Sequence, residues 1–258
     1  METSTPSAPA PTGPAARVAG AVKVYGKGNT AVTALDGVDL DLPRGGFTAV
    51  MGPSGSGKST LMHCMAGLDR LTDGDAEIGG ESLAELNDAA LTKMRRRKVG
   101  FIFQAFNLVQ TLTARENIEL PLRLDGESPD PEWFRQVTDR LGIADRLDHT
   151  PTELSGGQIQ RVAVARALVS RPDVIFADEP TGNLDQTSGA QVLDLMRAAV
   201  DDYGQTIVMV THDATSAAIA DRVLFLFDGK IVDRIEQPDA DQVFERIRQL
   251  SVHADGEA

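Results

Sequence analysis

The eight residues Gly52-Pro53-Ser54-Gly55-Ser56-Gly57-Lys58-Ser59 leave this chain few ways to fold. They match the pattern G-x-x-x-x-G-K-[ST], and they stand between an apolar run at 47–51 and a helix-like stretch at 61–68. The run predicts a buried strand and the stretch a helix, the setting in which this pattern holds phosphate. Glycines let the backbone curl so that successive N–H groups face inward, and the start of the helix adds its positive dipole end. Thr60 continues the loop into the helix. In this pattern Lys58 reaches the β- and γ-phosphates of a nucleotide and Ser59 offers a hydroxyl to Mg²⁺.

A chain of 258 residues, 41% hydrophobic, is long enough for one large domain or two small ones with a sizeable core. Asp and Glu total 38 against 25 Lys and Arg, a formal charge of −13. Nucleic-acid binding draws on basic side chains that release counterions, so no nucleic acid is expected as a partner. No apolar run approaches the roughly 18 residues of a membrane span. Residues 1–16 are rich in Pro and Ala, lack a signal pattern, and read as a disordered tail. The single cysteine, Cys64, cannot form an internal disulfide, which also points to the cytoplasm. Its neighbour His63 does not give it metal-site spacing, so packing is its expected role.

Alternating stretches at 18–25 and 31–42 flank Gly26-Lys27-Gly28-Asn29 and predict an antiparallel hairpin. Tyr25, at the end of its first arm, is either an edge-of-sheet residue or a ring placed to stack on a purine. Residues 73–81 predict a short strand, 88–97 a helix ending in a basic run that complements the macrodipole, and 99–103 an apolar strand followed by Gln104. From 113 to 124 and from 131 to 141 the apolar spacing is helical, with a break at 126–131. This helical block reads as an insertion, and packing is the expected role of Trp133.

Leu154-Ser155-Gly156-Gly157-Gln158 then runs into a helix at 159–169. A Ser-Gly-Gly turn opening a helix is an anion-binding geometry, and Ser is equally favoured there as a plain N-cap. The strand at 174–179 ends in Asp178 and Glu179. Neighbouring residues on a strand point to opposite faces, so one acid can serve the Mg²⁺ shell while the other faces a water. A long helix at 186–203 and a β-branched strand at 206–210 follow, and the latter leads to His212. That histidine leaves the sheet edge at which ligands bind in parallel folds. A closing hairpin spans 222–235 and a last helix 242–250, with 251–258 a flexible acidic tail.

In this order, the P-loop, a glutamine after a strand, Leu-Ser-Gly-Gly-Gln, an apolar strand ending in Asp-Glu, Leu184-Asp185 and a histidine after the next strand resemble the nucleotide-binding subunits of ABC transporters, over residues 18–233. Gln160-Arg161 and Ala165-Arg166-Ala167 extend the likeness. Gly182-Asn183 stands where many members carry Ser-Ala. With 100–108 and 116–122, it resembles the MacB, LolD and FtsE-like branch. Thr150 stands where many relatives have an aromatic.

The resemblance implies an α/β fold with a P-loop NTPase (RecA-like) core, an antiparallel β subdomain and an inserted α-helical subdomain. It would occupy 17–250, with the helical part at 105–166. It implies ATP hydrolysis with Mg²⁺ between two copies of the chain, head to tail. The P-loop residues Gly52, Pro53, Ser54, Gly55, Ser56, Gly57, Lys58, Ser59 and Thr60 would face Ser155, Gly156, Gly157 and Gln158 of the second copy. Catalysis would fall to Glu179, His212 and Lys58, and the metal to Ser59, Gln104 and Asp178. Tyr25 would stack on adenine, and Asp185 would link the two sites. An FtsX- or MacB-like permease would hold the subunit on the inner face of the membrane. Two functions stay open, energising an exporter or signalling through such a permease to a cell-wall hydrolase. ABC proteins of DNA repair or translation fit poorly, for want of their insertions or second ATPase module.

Overall fold

A β-strand sends alternate side chains to opposite faces, and in β3 (Phe47–Met51) both sets are buried. Phe47, Ala49 and Met51 enter one hydrophobic cluster and Val50 the other. The same alternation runs along β7 (Val174–Asp178), where Ile175 and Ala177 face one way and Val174 and Phe176 the other. Strands of this kind require cover on both sides, as parallel sheets do.

The structure, a computed structural model, describes residues 13–255. Its central sheet has the spatial order β10 (Lys230–Glu236), β9 (Arg222–Phe227), β3, β8 (Ile207–Val210), β7 and β6 (Val99–Phe103). All neighbours are parallel except β10, which turns back against β9. One face is covered by α1 (Lys58–Met65), α2 (Asp88–Lys98) and an antiparallel sheet. The order of that sheet is β2 (Val32–Leu42), β1 (Ala16–Tyr25), β4 (Asp73–Ile78) and β5 (Glu81–Ser82).

Helices α3 (Ala114–Arg123), α4 (Pro131–Arg140), α5 (Gly156–Leu168), α6 (Gln186–Tyr203), α7 (Ala214–Ala217) and α8 (Ala240–Asp255) accompany the other face. Ile118 of α3, Trp133 and Val137 of α4, Val162 of α5 and Val192 of α6 share one continuous cluster with the sheet. The inserted helices therefore have no separate core, and α5 joins them to the strands. Trp133 packs edge-on against Tyr203, with centroids 4.9 Å apart, and donates from Nε1 to Leu168 O at 3.3 Å. Among the described residues no helix is long and apolar enough to cross a membrane.

Several boundaries differ from the sequence reading. The strand expected at 73–81 is a hairpin, because Gly79 and Gly80, at φ 58° and 78°, turn the chain between β4 and β5. Helices α1 and α5 begin at Lys58 and Gly156, a turn earlier than the apolar spacing indicates. Their first residues are small or polar and leave no trace in a hydrophobic pattern. Ala16, read as the end of the tail, opens β1, and buried Ala15 donates to Leu42 O at 2.8 Å. The disordered tail expected at 1–16 falls, over 1–12, outside the described residues. The final helix continues past Leu250 to Asp255, into the stretch read as a tail.

Gly100 lets α5 lie against β6: a Cβ there would stand 2.7 Å from Ala167 O and 2.9 Å from Ile175 Cγ1. Gly100→Ala is expected to destabilise the fold by about 1–3 kcal/mol, the usual effect of overpacking. Urea unfolding should show a lower midpoint at unchanged slope.

Candidate nucleotide site

Because β3, β6, β7 and β8 are parallel, the loops at their carboxyl ends gather on one edge of the sheet, where such folds place their ligands. The P-loop follows β3, Gln104 follows β6, Asp178 and Glu179 end β7, and His212 follows β8.

The P-loop is held against the sheet so closely that side chains are excluded. A Cβ on Gly52 would fall 2.0 Å from Leu226 O, and one on Gly57 would fall 2.3 Å from Ala34 O. Gly57 is also the N-cap of α1, at φ 102°, and it has no side chain with which to cap the helix. The N–H groups of Lys58, Ser59 and Thr60 precede the first α-helical hydrogen bond, from Leu61 N to Gly57 O at 2.8 Å. An anion would satisfy them. Ser56 Oγ is buried without a hydrogen-bond partner at the same bend. Lys58 Nζ folds over the loop and donates to the carbonyls of Gly52 and Pro53 at 2.9 and 2.8 Å. Burial pulls its ammonium below the ordinary lysine value, and Glu179 and Asp178 pull it back up. Uncapped amides, a lysine ammonium and an unpartnered hydroxyl are a donor set that fits polyphosphate.

Asp178 shares its parity with Val174 and Phe176, so it faces α1, where His63 and the Lys58 ammonium lie near it. Burial raises its carboxyl above the usual carboxylate range. The strand alternation expected to part the two acids does not reach the second one. Glu179 is not in the strand, and its φ of 46° puts it in the left-handed region. The two carboxylates are separated by that twist and not by strand alternation. Glu179 Oε1 lies 2.8 Å from His212 Nδ1, and both line a cavity of about 450 Å³ with Asp185, Gly182 and Asp213. A carboxylate and an imidazole in contact at the mouth of a cavity can orient a water and accept its proton. The pairing of Phe103 with Asp178 brings the chain out of β6 and β7 at the same level, with Gln104 and Glu179 the first residues past the two strands.

Ser155 to Gln158 and Asp185 form a second group. Ser155 caps α5, its N–H donating to Gln158 Oε1 at 2.9 Å and its Oγ accepting from Gln158 N at 3.4 Å. Asp185 caps α6 through Ser188, whose hydroxyl and amide hold its carboxyl below the usual range. A Cβ on Gly157 would lie 3.3 Å from Ser188 Oγ and one on Gly156 3.6 Å from Leu184 Cδ2, so the two helix starts abut. Both glycines leave the face of the turn open.

Tyr25 is 43% exposed, lies beside Thr60, and donates from its hydroxyl to Asp69 Oδ2 at 2.7 Å. Lys23 sits 4.7 Å from its ring centroid and pairs with the same Asp69 at 2.6 Å. Lys23 and Asp69, which hold the ring, leave no joint signal in the sequence because they lie 46 residues apart. Ring, loop and acids thus lie along one edge.

Known proteins resemble this chain over most of its length. The family model described as "ABC transporter" matches residues 35–182, more than half of the chain. The chain is 46% identical over 211 residues to the uncharacterized ABC transporter ATP-binding protein YbbA of Escherichia coli, covering 81% of this chain and 92% of that one. It is 42% identical over 214 residues to the macrolide export ATP-binding/permease protein MacB of Bdellovibrio bacteriovorus, of which it spans 33%. A solved dimer of the ATP-binding cassette MJ0796, described as a post-hydrolysis state bound to ADP and Pi, superposes with a TM-score of 0.76. The two are 38% identical, and the match covers 87% of this chain and 99% of that one. The chain belongs to the ATP-binding proteins of the ABC transporter family, which makes it an ATPase of transport. Its relatives include MacB, as the branch resemblance leads one to expect.

Because burial raises the Asp178 carboxyl, the folded chain binds its proton more tightly than the unfolded chain does, and stability is lost as pH rises from the unfolded value through the folded one. Asp178→Asn removes that penalty without changing shape. In the absence of nucleotide its thermal midpoint at pH 7 should exceed that of the unsubstituted protein, and the difference should shrink as pH falls into the carboxylate range.

Proposed function

We propose that two copies of this chain close head to tail over two ATP molecules and that the closure drives a separate FtsX- or MacB-like permease. The observation that carries this reading is the division of the site. The phosphate cradle at the start of α1 and the open Ser155–Gly157 turn at the start of α5 are separate groups in one chain, each with only part of the donors that an enclosed γ-phosphate needs. A second copy brings the missing part, in keeping with the dimeric MJ0796 cassette.

Each residue then has a physical task. The amides of 55–60, with Lys58, hold the β- and γ-phosphates, and Tyr25 stacks on adenine. Ser155 with the Gly156 and Gly157 amides closes over the γ-phosphate from the partner. Ser59, Asp178 and Gln104 would hold Mg²⁺, a hard cation suited to hydroxyl, carboxylate and amide oxygens, which would neutralise charge on the phosphates. Glu179 polarises the attacking water and takes its proton as the bond from γ-phosphorus to the bridging oxygen breaks, giving ADP and phosphate. His212 keeps Glu179 turned toward that water and contacts the γ-phosphate, while Asp185 carries the state of one site to the other. Gln104 opens the segment that leads into α3. A shift there would reach a permease surface at 105–122, which would place the subunit on the cytoplasmic face of a membrane.

Glu179→Gln is expected to keep ATP binding and slow hydrolysis by at least about 10²-fold, the lower range for removing a general base. In gel filtration with ATP it should elute as a dimer and without ATP as a monomer. A monomer at saturating ATP would overturn the head-to-tail reading. Lys58→Ala should instead weaken ATP binding in calorimetry, and unchanged affinity would remove the P-loop lysine from the phosphate site.

A further inference from the structure

Gln104 is followed by a backbone in an unusual state. Phe106 and Asn107, at φ 59° and 50°, are consecutive left-handed residues, and neither is glycine. A phenylalanine in that region persists only where the surroundings impose it. Three carbonyls of this short segment accept hydrogen bonds from side chains far away in sequence. Asn183 Nδ2 donates to Gln104 O at 2.8 Å. Arg166 donates from Nη2 to Phe106 O at 2.9 Å and from Nη1 to Asn107 O at 2.6 Å. Among the described residues Arg166 meets no carboxylate, and burial pulls its guanidinium down to about 10. Its charge is therefore spent on the two strained carbonyls.

The Gln104 side chain lies against the same turn. A Cβ on Gly182 would stand 2.8 Å from Gln104 Nε2, so the amide occupies the space that any other residue at 182 would fill. Gly182 and Asn183 lie in the turn between Glu179 and Asp185. That turn is itself pinned to α5, where buried Gln160 donates to Pro180 O at 2.5 Å. One rigid helix, opening with the Ser155 turn, thus grips the turn after Glu179 through Gln160 and the loop after Gln104 through Arg166. Asn183 ties the two loops to each other.

We infer that Asn183, backed by Arg166 and given room by Gly182, is a positioning residue that sets Gln104 for the metal and makes the Gln104 loop and the turn after Glu179 move together. The backbone at Gln104 cannot shift toward a bound cation without either drawing residues 180–183 along or breaking the bond from Asn183 to its carbonyl. The pair Gly182-Asn183, which distinguishes this chain from the many relatives with Ser-Ala, is on this reading a mechanical link. The inference rests on the metal role proposed for Gln104.

The test uses the full chain with Asn183→Ala, Gln104→Ala and the double substitution. Asn183 is exposed, so its replacement leaves the core alone. In the nucleotide-free protein, amide exchange at 105–108 should quicken at least about fivefold in Asn183→Ala, the effect of one lost hydrogen bond, while exchange in β3 and β7 stays unchanged. The Mg²⁺ concentration for half-maximal hydrolysis should rise by a similar factor in both single variants and no further in the double variant, because the two residues act through one contact. ATP binding measured without metal should hold within about twofold. An Asn183→Ala protein with unaltered exchange at 105–108, or with the Mg²⁺ requirement unmoved while Gln104→Ala moves it, overturns the positioning role. If Gln104→Ala itself leaves the requirement unmoved, it is the metal role of Gln104 that fails, and the inference falls with it.

Discussion

A parallel sheet that is dry on both faces can put polar chemistry only at its ends, and that constraint organises this molecule. Phe47, Ala49 and Met51 fill one side of β3 while Thr48 and Val50 fill the other, and the neighbouring strands repeat the scheme. With no lateral face free, the groups that meet water leave from the strand ends, and parallel pairing collects four of those ends on one edge. The phosphate loop, the two acids, the glutamine and the histidine are neighbours for that reason. The alternation also decides orientation, since it turns Asp178 to the side where α1 presents Lys58 and His63.

On this frame the loop geometry supplies what regular structure lacks. Gly52 and Gly57 are bare because carbonyls of Leu226 and Ala34 occupy the place of their side chains, and the resulting bend leaves the first amides of α1 without acceptors. Glu179 departs from the strand in a left-handed conformation, which aims its carboxylate at His212 and into the cavity instead of into the core. Strain here is local and sits where the fold needs a carboxylate to change direction.

Much of this was legible in the chain itself. The spacing of glycines and lysine in the P-loop, the apolar runs at 47–51 and 174–178 and the helical period at 186–203 are local patterns, and local patterns survive being read one residue at a time. The hydrophobic period does not mark the helix starts at Lys58 and Gly156, because their small and polar first residues add nothing to it, and at α5 only the N-cap preference of Ser155 points to the start. The hairpin at Gly79-Gly80 was lost inside a run that alternates well enough to pass as one strand. Contacts such as Asn183 to Gln104, 79 residues apart, or Arg166 to Phe106, 60 apart, leave no signature at all, since a side chain reaching a backbone carbonyl selects no partner residue type. The distinctive pair Gly182-Asn183 could be noticed in the sequence, but its purpose could not.

The lone tryptophan gives the molecule a built-in optical probe of one particular joint. Trp133 bonds the carbonyl of Leu168, the final residue of α5, lies edge-on to Tyr203 at the end of α6, and carries the guanidinium of Arg171 at 4.8 Å over its ring. These are the far ends of the two helices whose first turns hold Ser155 and Asp185. Indole emission answers to the position of a nearby cation and to the bonding of its N–H. Intrinsic fluorescence of this protein therefore watches the rear of both helices. A spectral change on adding nucleotide would report that motion had travelled their full length, with no label attached.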